Sequence, residues 1–310
     1  MAAILQSILN IIFIVEFFIG NLGNGFIALV NCVDSVKRRK TPSVDKILTA
    51  LAISRFSVVW VLFLDWLLVI KSSPLLITRN TLRMTQIAWN ICNHFSLWLT
   101  TSLSIFYFLK IAIFSNALFL YLKWRIKRVV VMTLLLSLVL LFLNMFLAIK
   151  HIDVWVDGYK INTSNSLSSS FVEFPKFILL PSLMFTLIPF GVSLIAFLLL
   201  IISLWKHIRK MQYYTKGCKD ISTLAHITAL QTVVVFLLFY MTFFLSLVLE
   251  FWMFDIEKSV ILLFARVIIT IFPSIHSCVF ILGHSKLRQD LLSVLWQLRY
   301  WCKHMGTLDP

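Results

Sequence analysis

"MTQIAWNICNHFSLWLTTSLSIFYFLK", residues 84–110, decides the fold. The run is membrane-length and mostly apolar, yet Trp89, Asn93, Ser96, Thr100, Ser104 and Tyr107 recur at steps of three or four. Such spacing puts them on one face of a helix. Polar groups at membrane depth face the interior of a bundle or a water-filled cavity, because burial in lipid is costly. At about 1.5 Å per residue, Trp89 and Lys110 stand about 30 Å apart, close to the full hydrocarbon thickness. One helix therefore joins an outer cavity to the inner surface.

The rest of the chain fits that setting. Of its 310 residues, 60% are hydrophobic, 15% aromatic and 13% charged, a balance that cannot cover a soluble globule with polar surface. Apolar stretches of spanning length lie near 5–33, 46–70, 83–110, 127–149, 177–204, 227–250 and 260–283. They lack the period-2 alternation of a barrel strand, so an all-α membrane protein with a seven-transmembrane helix bundle is expected. The first stretch has no charged n-region and runs too long for a secretory signal, and reads as a retained span. No internal repeat or linker interrupts residues 1–310, which read as a single domain. Past the last span, Leu287, Leu291, Val294, Leu295 and Leu298 recur at helical spacing with Arg288, Asp290 and Arg299 on other faces. A short amphipathic helix near 285–300, lying on the inner surface against membrane lipids, is the expectation.

Lysine and arginine set the orientation. Nineteen fall in the loops after the first, third and fifth spans and in the tail, and seven in the loops of the opposite side. The N-terminus is thus expected outside and the C-terminus in the cytoplasm. The net charge of +15 follows from this asymmetry and needs no nucleic acid. None of Cys32, Cys92, Cys218, Cys278 and Cys302 falls in an outer loop, so no outer disulfide is expected. Cys302 in the tail is a candidate for palmitoylation or a plain thiol. Asn162-Thr163-Ser164 forms a glycosylation sequon in the longest outer loop, near 150–176.

Other polar groups inside spans point to function. Glu16, Gly20 and Asn24 share a face of the first helix, where Gly20 and Gly23 permit close approach. Arg55 lies deep in the second helix and reads as a structural polar hub bonded to Asn24 and to Ser274 or Ser277. Asp65, Trp66 and Arg266 lie at the depth of an outer pocket. His226 and His276 read as helix–helix hydrogen bonders or switch elements rather than metal ligands, lacking carboxylate or cysteine partners at ligand spacing. No nucleophile–base pair or metal cluster can be assembled, which argues against an enzyme and implies no cofactor. A transporter or channel would bring inverted repeats, paired broken helices or charge rings, and none is visible.

Seven motifs stand in register: "GNLGN" (20–24), "LAISR" (51–55), "FYFLKIA" (106–112), "LKWR" (122–125), "IPF" with "LLLIISLWKH" (188–207), "STLAHITAL" (222–230) and "PSIHSCVFILGHSKLRQ" (273–289). In this order they closely resemble the bitter taste receptors (taste receptors type 2), a family of G-protein-coupled receptors, over residues 1–300. A vomeronasal-type chemosensory receptor is the alternative with the same architecture. The resemblance implies a plasma-membrane receptor for small bitter compounds, coupled to gustducin and related inhibitory-class heterotrimeric G proteins that drive phospholipase C and calcium release. It carries Trp89, Asn93 and Tyr240 over as ligand-cavity positions, which Trp66, Asp65 and Arg266 join by depth. It also puts Lys110, beside Tyr107, where rhodopsin-like receptors keep an arginine at the inner end of the third helix. A coupling group and a snorkelling anchor are the two readings of that lysine. Many members carry other residues where this chain has Leu224, Gln231 and His284, all at the inner face, which bears on coupling strength.

Asn162→Gln is expected to remove a glycan and lower surface delivery, leaving agonist potency nearly unchanged. Gel mobility before and after glycosidase treatment checks this, and an unchanged band would contradict it.

Overall fold

The computed structural model describes residues 2–37, 42–71, 79–163, 176–214, 221–253 and 259–305. Among these, nine helices follow one another: α1 (Ala2–Lys37), α2 (Ser43–Lys71), α3 (Arg79–Ile111), α4 (Ala117–Trp124), α5 (Ile126–Thr163), α6 (Lys176–Tyr214), α7 (Ile221–Met253), α8 (Ser259–Gly283) and α9 (Ser285–Met305). Cys218 lies outside these residues, as do the side chains of Asn162, His226 and Cys302.

Six helices, α1, α2, α5, α6, α7 and α8, are long and apolar enough to cross a membrane by length and composition. The third expected span, α3, has the length, 33 residues, but a lower hydropathy. The reason is its inward stripe: Asn90, Asn93, His94, Ser96, Thr100, Thr101, Ser102 and Ser104 are all buried. Several hydroxyls are satisfied within the helix, as with Thr100 Oγ1 to the Ser96 carbonyl at 2.8 Å and Ser104 Oγ to the Thr101 carbonyl at 2.8 Å. Because α3 meets α2, α5 and α6, it turns that polar face to protein. It is the central helix of a seven-helix bundle.

Two features differ from expectation. The fourth span continues to Thr163, so the first part of the expected outer loop, through Asn162, is helical backbone. A short helix, α4, occupies the expected inner loop between the third and fourth spans. Asn116 caps it, its side chain accepting the Leu118 N–H at 2.9 Å, which satisfies one orphan donor of the first turn. Lys123 Nζ donates to the Ala112 carbonyl at 3.0 Å, and the Ile113 N–H donates to Ser203 Oγ at 3.0 Å, so the segment is tied to both α3 and α6. At the tail, α9 docks only by its first turns: Leu287 is buried against Ile27, Ala52 and Ile281, and Lys286 pairs with Asp34 of α1. Val294 and Leu295, on the side expected to face lipid, are exposed.

The tightest seam joins α1 to α8. A Cβ at Gly20 would stand 2.5 Å from Ser274 Oγ and 3.1 Å from Val59, and one at Gly23 would overlap the Ser277 side chain. Across this seam Asn24 Nδ2 donates to the Pro273 carbonyl at 2.9 Å, and Ser274 Oγ donates to the Glu16 carbonyl at 2.9 Å. Gly25, one residue on, has nothing within 4 Å of its virtual Cβ. Gly23→Val is therefore expected to force α1 and α8 apart at a cost of about 1–3 kcal/mol, whereas Gly25→Ala leaves stability equal or slightly higher. Thermal denaturation of detergent-extracted protein distinguishes the two, and equal midpoints would contradict the seam.

Candidate functional site

Toward the end of the bundle that carries Trp89, the faces of α3, α6 and α7 leave a cavity. It is lined by Trp89, Asn93, Ser182, Thr186, Leu247 and Phe251, with Leu183 completing the wall. Among the described residues its enclosed volume is about 40 Å³. Asn93 is buried, and Trp89 packs half-buried against the main apolar cluster.

Beneath the cavity lies an aromatic floor. Tyr240 is fully buried, with its ring 5.1 Å from Phe190 and 5.5 Å from Phe272. It is part of this floor and not among the residues lining the cavity. Phe190 and Phe244 stack at 4.0 Å, tying α6 to α7.

The other three expected pocket residues sit to the side. Trp66 donates from its indole to Asn10 Oδ1 at 3.0 Å and lies against Phe13 and Phe63, so it faces α1. Arg266 of α8 and Asp65 of α2 form a salt bridge at 3.0 Å, both side chains part-buried. That pair closes the gap between α2 and α8 and is separate from the cavity of Trp89.

Deeper still, Arg55 is 1% exposed. It was expected to bond Asn24 and Ser274 or Ser277. Its partners are instead His276 Nδ1 and, at 3.2 Å, Thr100 Oγ1, with the guanidinium 4.8 Å above the Phe272 ring. Asn24 donates its amide to the Gly20 and Pro273 carbonyls and Ser277 its hydroxyl to the Ser274 carbonyl at 2.7 Å, so both belong to the seam between α1 and α8, while the guanidinium, which only donates, meets its acceptors on His276 and Thr100. Asn24, Arg55, His276 and Phe280 still border one small space. Below it a ring stack descends from His276 through Phe280 to His284, at 6.3 and 5.7 Å.

At the opposite end of α3, Lys110 is exposed, its ammonium 5.6 Å from the Phe106 ring centroid. Tyr107 is half-buried between two apolar clusters.

The sequence reading passed over Asn90, His94 and Asn144, all buried, and the cavity-lining Ser182 and Thr186. A signal existed for Asn144, a lone amide in the apolar run "LLFLNMFLA" (140–148), which the cost of intramembrane polar groups marks as functional.

Comparison with known proteins agrees with this anatomy. The family model "Taste receptor protein (TAS2R)" matches residues 1–299. Taste receptor type 2 member 14 of Macaca mulatta is 51% identical over 306 residues, covering 98% of this chain and 96% of its own. Taste receptor type 2 member 125 of Rattus norvegicus is 51% identical over 311 residues and covers both chains fully. Member 14 of Homo sapiens is 50% identical over 304 residues, 98% of this chain and 96% of its own. With a family match over nearly all of its length and relatives at half identity along the whole bundle, this multi-pass membrane protein belongs to the taste receptor type 2 family.

Proposed function

We propose that the chain is a bitter taste receptor of the plasma membrane, N-terminus outside, which binds small bitter compounds between α3, α6 and α7. On agonist binding it activates gustducin or another inhibitory-class G protein, whose released βγ subunits drive phospholipase C and calcium release. The observation that carries this reading is the placement of an aromatic-and-amide cavity at one end of α3 and an exposed cation, Lys110, at the other. An indole wall with one or two fixed amides grips apolar ligands by area rather than reading them atom by atom, so the receptor responds to many compounds.

Differential affinity gives the agonist its leverage: a ligand shifts an equilibrium only by binding one of two states better, here the state in which the outer ends of α3, α6 and α7 have separated. The rigid aromatic floor passes that separation to the Arg55 layer, and Lys110 meets the G protein once the inner ends part. A bitter-compound library applied to cells expressing the chain with a gustducin chimera tests the reading by agonist-evoked calcium. No response to any compound from receptor present at the surface would count against it.

Two expectations follow from the geometry. Trp89→Ala or Asn93→Ala raises the half-maximal agonist concentration at least about tenfold, equivalent to about 1.4 kcal/mol, while Lys110→Ala lowers the maximal response with potency little changed. Equal potency loss at Lys110 would break the division of labour.

For the Asp65–Arg266 bridge, Arg266→Glu alone impairs surface delivery or response, and the charge-swapped double variant restores part of it. A double-mutant cycle with a coupling energy near 1 kcal/mol is expected. Purely additive effects would show that the bridge is idle.

A further inference from the structure

Next to the Trp89 cavity lies a second, smaller space that shares Asn93, Ser182 and Thr186 with it. Its remaining polar walls are Asn90 and His94 of α3 and Asn144 of α5. These three residues are only 3, 7 and 5% exposed, yet Asn90 Nδ2, His94 Nε2 and Asn144 Oδ1 each lack a protein hydrogen-bond partner. Buried polar atoms in native proteins are almost always paired, and here three unpaired ones border one chamber. Its volume of about 10 Å³ is at the threshold for a single water.

The polarity of the chamber can be read atom by atom. Asn90 Oδ1 already accepts from Gln86 Nε2 at 3.3 Å and from Ser182 Oγ at 3.2 Å, which leaves its amide N–H as a donor. His94 Nε2 is a further polar atom on this wall, donor or acceptor by tautomer. Asn144 Oδ1 is an acceptor. No Asp, Glu, Lys or Arg lines the space, so a charged group entering it would find no counter-ion.

We propose that this chamber is a subsite for a neutral hydrogen-bond donor. A single water fills it in the resting receptor. In the agonist-bound receptor that water gives way to a hydroxyl or primary amide carried by a ligand whose apolar body lies against Trp89. The ligand half of this inference rests on the cavity reading above. The subsite makes recognition selective at one point: a hydroxyl or amide N–H reaches Asn144 Oδ1, and a methyl cap leaves that atom unpaired while also expelling the water.

Matched probes test it. Each agonist recovered from a bitter-compound screen that bears a hydroxyl or primary amide is paired with its methylated form. Both are measured by calcium response on the native chain and on Asn144→Leu, Asn144→Ser and Trp89→Ala, with surface receptor quantified in each case. Methylation is expected to cost at least about tenfold in potency on the native chain and no more than about twofold on Asn144→Leu. Asn144→Ser, which keeps an acceptor in a smaller side chain, retains part of the discrimination and serves if Asn144→Leu does not reach the surface. Trp89→Ala weakens both members of each pair alike. A methylation penalty of the same size on the native chain and on the Asn144 variants overturns the subsite, as does an agonist set with no donor group. If Trp89→Ala is silent while Asn144-dependent discrimination persists, the cavity reading fails and the subsite stands. In the ligand-free receptor, a density map showing one water bonded to Asn90, His94 and Asn144 supports the resting half, and a dry chamber overturns it.

Discussion

A guanidinium in the middle of a membrane must find its partners in protein, and the placement of helices around Arg55 answers that demand. Desolvating a charge costs several kcal/mol, which only good geometry and further hydrogen bonds recover. Arg55 obtains them from two other helices, His276 and the face of Phe272 on α8 and Thr100 on α3. The helices α2, α3 and α8 are thereby fixed to one another at mid-depth. The neighbouring seam between α1 and α8 adds a second polar lock through Asn24 and Ser274, made possible because glycines let the two backbones approach.

This polar layer stands between the cavity and the Lys110 end of α3, with the aromatic floor of Tyr240, Phe236 and Phe272 resting on it. The floor is close-packed, and close-packed interiors do not deform continuously. A change at the cavity therefore reaches the layer as a discrete repacking rather than as a graded strain. The shared element is Phe272, which touches Tyr240 above and Arg55 below.

Much of this was legible in the sequence because it obeys two rules. Membrane-length apolar runs predict helices, and polar residues inside those runs predict contacts between them. The α3 stripe and the Gly20–Gly23 seam followed from those rules and are present, whereas depth brought Asp65 and Arg266 to one level without deciding that they pair. Partner choice was not legible. Arg55 had several hydrogen-bonding groups within reach by depth, and which one it takes depends on which acceptors the rotation of each helix turns toward it, a matter that periodicity does not encode. Tyr240 was carried over by resemblance and Trp66 by depth, and neither distinguishes a cavity wall from the floor beneath it or from an adjoining interface. The chamber behind Asn90 was invisible for a related reason: its walls come from three helices, and on α3 Asn90 and His94 lie one residue off the stripe that drew notice. Residues 150–163 misled because a loop rich in charges and turn formers still continues the helix that precedes it.

The low hydropathy of α3 has a consequence for how the chain is made. A segment that enters the bilayer on its own must be apolar on every side, and α3 is not: its buried face carries amides, an imidazole and a run of hydroxyls. Its insertion depends on neighbours able to shield that face. Of the three, α2 has already emerged from the ribosome, while α5 and α6 come later. Until α5 follows, α2 is the one of these three neighbours that can cover the polar face of α3. Damage to the α2–α3 contact is therefore felt first as failed biogenesis, before any ligand is met.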